Sequence, residues 1–447
     1  MAALLSFLWP GLGQLYTGRR RLAIAFAVPA VLVLLVLIYQ MRQGLVVFGA
    51  RLVSPRFALA ALVIVVLLGA WRVVAVAHAF VAGEALGTRR TLERAVLAAL
   101  VAAIVVSHSA AGYMLWVTYN AGSKVNQPNP NLVDLATPSL APGETPGPST
   151  DAVPSVPPPS IDSRVTILFN GVDSTPSRGE HLYDSNMVVS YDPKTNSVQM
   201  VSVPRDSTSF PLYFGSHNVV PSWLRLNTVP TNVVKEGIVG SPDSPYMTLV
   251  NEVGYLVGIH IDYYAAMDLG GFVKMIDSVG GIDVVNPAVI DDGSYDWLDG
   301  SRFGFYLVAG AQHLDGRHAL AYVRSRKSPG DNDFGRSSRQ QQVLVELMHK
   351  MAQPGQILNL PGLISTLGSS VTTNFPADQV ANYLDIGQKI PSDNLKQVVL
   401  SPDQGYSEYL PNGALCLFNS KLSALSVQLF GKDSLWYRKP APANTCP

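Results

Sequence analysis

Cysteine is nearly absent: Cys416 and Cys446 are the only two in 447 residues. They form no Cys-x-x-Cys pair and no Cys/His cluster with metal-ligand spacing, which excludes a zinc-built or iron–sulfur domain. The eight histidines include no His-Glu-x-x-His pair, and neither a Gly-x-Ser-x-Gly elbow nor a Walker phosphate loop occurs. Zinc peptidase, serine hydrolase and P-loop nucleotidase chemistry therefore lacks its residues. Charge is sparse as well, at 14% of residues, with 32 basic and 32 acidic side chains leaving no net charge. Residues 1–118 contain no lysine, no aspartate and only Glu84 and Glu93 against ten arginines, so this part carries +8 and the remainder −8. The part beyond it is acidic, with no basic domain to cover nucleic acid, and no nucleic-acid partner is expected.

What the first part has is length without polarity. Apolar runs extend from Leu22 to Tyr39, from Phe57 to about Val76 and from Ala95 to Val117. Each is long enough, as a helix, to cross a hydrocarbon core of about 30 Å, and a cleaved signal peptide would have only one. Arg19, Arg20, Arg21, Arg72, Arg89, Arg90 and Arg94 fall on one side of these runs, and Arg42, Arg51 and Arg56 on the other. The richer side is expected to face the cytoplasm. A cytoplasmic N-terminus and three crossings then place everything beyond residue 118 outside, in a multi-pass membrane protein. The opening MAALLSFLWPGLGQLYTGRRR is short and broken by Pro10, Gly11 and Gly13, and reads as an interfacial or re-entrant segment. For Arg72, His78 and His108, in or near the spans, the preferred reading is structural, with Arg72 snorkelling to the inner surface.

Residues 119–160 follow as a linker, with ten prolines in the 35 positions from Asn126. Proline among Ser, Thr, Gly and Ala buries no core and holds the chain extended. The expected organisation is a membrane region at 1–118, this linker, an α/β domain at 161–410 and a tail at 411–447. Both cysteines fall on the oxidising side, so a Cys416–Cys446 disulfide closing the tail is expected, contributing ~3–4 kcal/mol on a loop-entropy basis.

From Val165 onward strands and helices alternate. VTILFNG (165–171) reads as a buried strand, and MVVSYD (187–192) and VQMVSVP (198–204) flank a hairpin turn. PYMTLVNEVGYLVG (245–258) and FVKMIDSVGG (272–281) have helical spacing, the second stopped by Gly280 and Gly281, with strands YYAAMD and IDVVNP after them. The pattern predicts a three-layer α/β/α sandwich.

Within this acidic part, YVRSRKSPGDNDFGRSSRQQQ (322–342) gathers Arg324, Arg326, Arg336 and Arg339. Val343, Leu344, Leu347, Met348 and Met351 mark the buried stripe of a helix, and counting back by threes and fours the stripe reaches Gln340, Arg339 and Arg336. These arginines point where the core points. The alternative to a ligand is a snorkelling pair or ion pairs with Asp331 and Asp333. Arg324 and Arg326, two apart, would share one side of an extended segment. Four guanidiniums without matching acids suit a pyrophosphate. Asp173 follows the first strand, Asp184 precedes the second, and Arg205-Asp206 follows the third in SVPRDS. Singly each aspartate serves as a cap or turn residue; together, beside a pyrophosphate, Asp173 and Asp184 are the donor pair that holds Mg2+.

SVPRDS, RLN (225–227), IDYYAAMD, FVKMIDSVGGIDV, LDGRHALAYVRSRK and DFGRSSRQQQ, in that order, resemble the LytR-CpsA-Psr family of bacterial cell-wall proteins over about residues 160–405. The resemblance implies a phosphotransferase that moves a glycopolymer from a polyprenyl-pyrophosphate carrier to peptidoglycan, on an α/β/α sandwich with an apolar tunnel for the prenyl chain. It implies Asp173 and Asp184 as magnesium-associated, Arg205 as the arginine of the Pro-Arg-Asp motif, and Arg324, Arg326, Arg336, Arg339 and Gln340 as pyrophosphate-binding. Asp206 and Asp333 are both candidates to take the acceptor proton. Leu182-Tyr183-Asp184-Ser185 stands where the family carries Arg-x-Asp-Thr, which removes one phosphate contact. Two other readings stay open at this point: a hydrolase in which water replaces the sugar, and a non-catalytic receptor for polyprenyl phosphates.

Overall fold

The computed structural model describes residues 1–42, 54–83, 90–125, 163–173, 181–213, 223–235, 245–351 apart from 298 and 302, 370–376 and 389–439, with a few isolated positions between them. The linker from residue 126 and Cys446, the expected disulfide partner of Cys416, lie outside the described residues. The chain divides into two compact units, one built on Met1–Lys124.

In that unit three helices are long and apolar enough to cross a membrane: α3 (Arg20–Met41), α4 (Pro55–Gly83) and α5 (Arg90–Val125). Their apolar side chains point outward around most of the circumference, as in helices whose solvent is lipid. The opening segment forms two short helices, α1 (Ala2–Leu8) and α2 (Leu12–Tyr16), neither of which reaches across a bilayer. They pack on α4 through a buried polar seam. The Ser6 hydroxyl donates to Gln14 Oε1 at 2.9 Å, and Gln14 Nε2 donates to the Ala75 carbonyl at 2.8 Å. Arg72 Nη2 donates to the Phe7 carbonyl at 2.7 Å and ties α1 to α4, in keeping with a structural role.

The second unit is the expected three-layer α/β/α sandwich. Its central six-stranded sheet has the order β10 (Val371–Thr373), β5 (Tyr263–Asp268), β1 (Val165–Asp173), β2 (Leu182–Asp192), β3 (Ser197–Ser202), β11 (Leu395–Val399). β1 runs parallel to β5 and antiparallel to β2, β2 is antiparallel to β3, and β3 is parallel to β11. The C-terminal ends of β1, β3, β5 and β11 therefore lie at one end of the sheet. A three-stranded sheet joins β12 (Ser407–Tyr409), β13 (Leu415–Leu417) and β4 (Ser207–Thr208).

On one face Leu168, Val172, Val188 and Val201 pack against α7 (Pro245–Val257) and α11 (Asn419–Phe430). On the other, Met187, Val189 and Met200 meet Leu344 and Val345 of α10 (Asp333–Met351). The boundary expected at residue 410 falls inside the domain, because Leu422, Leu425, Leu429 and Phe430 of α11 belong to the main core. Helix α6 (Val229–Lys235) precedes α7.

Helices α8 (Leu269–Ser278) and α9 (Gly316–Arg324) are each started by an aspartate. Asp268 accepts from Gly271 N at 2.6 Å and Asp315 from His318 N at 2.8 Å, which satisfies donors left over at a helix start. Gly280 and Gly281 end α8 with φ of +79° and +81°, the left-handed conformation that glycine adopts without strain. Between α8 and α9 run two ribbons, β6 (Ile282–Asn286) with β9 (Gly310–Leu314), and β7 (Ile290–Asp296) with β8 (Phe303–Leu307).

Candidate active site

The predicted residues converge on the sheet end where β1, β3 and β5 terminate, the position at which α/β sheets form their sites. Asp173 closes β1, pairs in register with Leu182 of β2, and is buried. Asp184 is placed by a β-bulge. Gly171 pairs with Ser185 but Val172 pairs with Tyr183, so Asp184 is the extra residue. A bulge re-aims its side chain and shifts the alternation, and Tyr183 consequently faces the same core as Val188.

Asp184 is gripped from two sides. Arg205 Nη1 donates to its Oδ2 at 2.7 Å, and Asn227 Nδ2 to its Oδ1 at 3.1 Å. Arg205 Nε also reaches Asp206 at 3.4 Å, and Asp206 takes a further hydrogen bond from Arg225. Burial pulls the Arg205 pKa down, but Asp184, Asp206 and Asp333 outweigh it, so the net shift is upward. The field of Asp333 at Arg205 joins the two halves of the site.

In the other half the arginines separate into kinds. Arg339 is buried and spent: Nε donates to the Tyr322 carbonyl at 2.8 Å, Nη1 and Nη2 hold Asp331 at 3.1 and 2.8 Å, and Nη2 also donates to the Ser325 carbonyl. Asp331 thus supplies the ion pair weighed as an alternative, and such a buried pair costs about 3–5 kcal/mol to break. Asp333 sits between Arg336 at 3.2 Å and Arg326 at 3.5 Å, Arg326 being the more exposed. Arg324 has no carboxylate within 4.0 Å among the described residues and lies over the Tyr295 ring, 5.9 Å from its centre. It ends helix α9 rather than lying in an extended segment, since the Asp315 cap lets GRHALAYVR wind as a helix.

Arg336 is 7% exposed, and its pKa is lowered: burial acts first, Arg205 and Arg326 add to it, and Asp333 and Asp184 only partly offset them. A guanidinium in that position lacks anions. Among the described residues six buried side-chain polar atoms have no hydrogen-bond partner, and four of them, Arg336 Nε, Arg324 Nη1, Asn227 Oδ1 and His181 Nδ1, belong to this site or the chain entering it. Buried polar atoms are ordinarily paired, so a cluster of unpaired ones marks where something else binds.

Gln340 joins the halves by accepting from Ser185 Oγ at 3.0 Å and donating to the Val323 carbonyl at 3.2 Å. Its neighbours carry structure: Gln341 ties α10 to Ser202 and to the Val398 carbonyl, and Gln342 accepts from the Tyr322 hydroxyl. Sequence reasoning missed Asn227, Gln341 and Tyr295 as site or support residues; Asn227, in the RLN motif, and Gln341, in DFGRSSRQQQ, carried a signal. No group of three or more His, Cys, Asp or Glu residues able to hold a metal comes together among the described residues. A cation here would share its shell with a substrate, and two aspartates at the ends of neighbouring strands are a donor set that suits Mg2+ used in that way.

Fold and site define a class: an α/β/α domain, on a chain with three membrane-length apolar helices, built around an arginine–aspartate cluster short of anions. The model of the LytR_cpsA_psr family matches residues 144–429, and the chain belongs to that family. Among its relatives is the polyisoprenyl-teichoic acid–peptidoglycan teichoic acid transferase TagV of Bacillus subtilis (strain 168), 33% identical over 210 residues, 47% of this chain and 49% of TagV. The chain thus spans about half the length of TagV. TagU of Bacillus anthracis, of the same named activity, is 29% identical over 269 residues, 58% of this chain and 78% of TagU. The crystal structure of B. subtilis TagV superposes with a TM-score of 0.48 at 27% identity, covering 60% of this chain and 97% of that one. TagT bound to LIIa-WTA gives 0.44 at 22% identity, covering 60% and 89%.

Proposed function

We propose that the protein is a phosphotransferase that attaches a glycopolymer, carried on a polyprenyl pyrophosphate, to peptidoglycan outside the cytoplasmic membrane. The observation that carries this is an unpartnered donor on each of two arginines, the buried Arg336 and the half-buried Arg324, at the sheet end that also holds Asp173 and Asp184. The named activities of TagV and TagU support the substrate class. The arginine bias of the N-terminal part supports a cytoplasmic N-terminus, three crossings and an extracytoplasmic α/β/α domain.

In this reading Arg324, Arg326 and Arg336 receive the pyrophosphate, while Arg339 and Gln340 hold the chain that presents them. Arg205 keeps Asp184 and Asp206 in place. Mg2+ bound by Asp173 and Asp184 would supply further neutralisation of the phosphate oxygens. The sugar hydroxyl attacks phosphorus and the lipid phosphate departs, so the residues act by positioning and by countering charge. Asp206 and Asp333 are the candidates to take the hydroxyl proton, and each already lies within ion-pair distance of two guanidiniums.

Full-length protein in detergent, given Mg2+, a polyprenyl-pyrophosphate-linked glycan and peptidoglycan fragments, is expected to form a covalent glycan–peptidoglycan conjugate. Asp184→Ala is expected to slow this by about 10²–10³-fold. Glycan released without any acceptor would identify a hydrolase. Tight lipid binding with conjugation unchanged in Asp184→Ala would identify a receptor.

A further inference from the structure

The β7–β8 ribbon does more than cover the domain, because strand β7 grips the turn that carries two of the arginines. Asp292 of β7 is 3% exposed. Its Oδ2 accepts from Ser325 Oγ at 2.9 Å, Arg326 N at 3.2 Å and Lys327 N at 3.3 Å. Its Oδ1 accepts from Ser294 Oγ and N at 3.0 and 3.2 Å. One residue earlier, Asp291 N donates to Ser328 Oγ at 2.8 Å, and three residues later the Tyr295 ring lies beneath the Arg324 guanidinium. Residues 324–328 are thus held from one strand at each of five successive positions.

Asp292 pairs with no guanidinium among the described residues; its acceptors are spent on three backbone amides and two serine hydroxyls. Its pKa is lowered, since the hydrogen bonds from Ser325, Arg326 N, Ser294 and Lys327 N together outweigh the opposing effect of burial. A buried carboxylate used in this way shapes backbone, and the shaped backbone is the turn that carries Arg324 and Arg326.

We propose that Asp292 is a positioning residue for the lipid-pyrophosphate site, holding the 324–328 turn so that Arg324 and Arg326 flank the anion; this rests on the function proposed above. Asp292→Asn keeps the shape but sets an amide N–H against N–H donors of the turn or of Ser294, so the turn must move. The test measures binding of geranylgeranyl pyrophosphate and of uncharged geranylgeraniol to full-length protein in detergent. Asp292→Asn is expected to weaken the pyrophosphate about tenfold and leave the alcohol within twofold, a selectivity that general loosening would not produce. In an Arg324→Ala/Arg326→Ala background the same change is expected to cost less than about twofold, because the groups it acts through are gone. Ser325→Ala, a milder variant that removes one of the hydrogen bonds, is expected to weaken the pyrophosphate about two- to threefold. Pyrophosphate binding unchanged in both Asp292→Asn and Ser325→Ala, or an Asp292→Asn effect that persists in the double-arginine background, overturns the inference. Wild-type protein that binds alcohol and pyrophosphate equally overturns instead the function on which it rests.

Discussion

Arg336→Ala is expected to lower the rate of glycopolymer transfer by about 10²–10³-fold at saturating lipid substrate, the loss typical of removing one pre-aimed donor from a developing oxyanion. Arg336 is buried with an unpartnered Nε, and its charge is only partly countered by Asp333 and Asp184. A cation kept in such a place opposes folding unless an anion arrives. The thermal midpoint of Arg336→Ala without ligand is therefore expected to equal or exceed that of wild type, the signature of a residue retained for function. Arg336→Lys should recover only a small part of the rate, since an ammonium lacks the planar fork that matches phosphate oxygens. Initial rates and melts on the same preparations check both halves. A rate within about fivefold of wild type, or a midpoint that collapses, would assign Arg336 to structure.

Glu252→Gln is expected to change the pH dependence of stability, by on the order of 3–5 kcal/mol between its extremes. Glu252 lies on α7 with no exposed surface, its Oε2 accepting from Tyr213 N at 2.8 Å and its Oε1 without a partner. Burial lifts its carboxyl to about 8 from an ordinary 4.5. Between those values the folded chain keeps a proton that the unfolded chain has lost, so this residue's contribution falls as pH rises from 4.5 to 8 and levels off above. Glutamine has no proton to lose. The extra N–H it places at the unpartnered position costs about 1–3 kcal/mol at every pH, whereas the gain relative to wild type grows only through that window. Melts of both proteins at pH 5, 7 and 9 separate the two; curves that run parallel would show that Glu252 finds a partner.

Much of the fold was legible because it is local. The apolar run of VTILFNG, the hairpin around PKTNS and the paired glycines after FVKMIDSV correspond to β1, the β2–β3 turn and the end of α8. Helical phase also placed Arg336 and Arg339 on the buried side of α10, where both are found. What could not be read depends on pairing across the chain. The bulge at Asp184 is a matter of register between β1 and β2, and register leaves no trace in composition. Arg336 and Arg339 look alike in the sequence, yet Arg339 is consumed by Asp331 and two carbonyls, because the loop between the arginine pairs folds back as an anion source. Asp292, more than thirty residues before the turn it holds, had no feature to distinguish it from the aspartate beside it.

The most direct measurement is a crystal structure of the protein with a polyprenyl pyrophosphate. The proposal predicts the two phosphates at the C-terminal ends of β1 and β3, with Arg336 Nε and Arg324 Nη1 donating to them and Asp173 and Asp184 alongside. Phosphates bound elsewhere, with those two nitrogens still unpartnered, would contradict it.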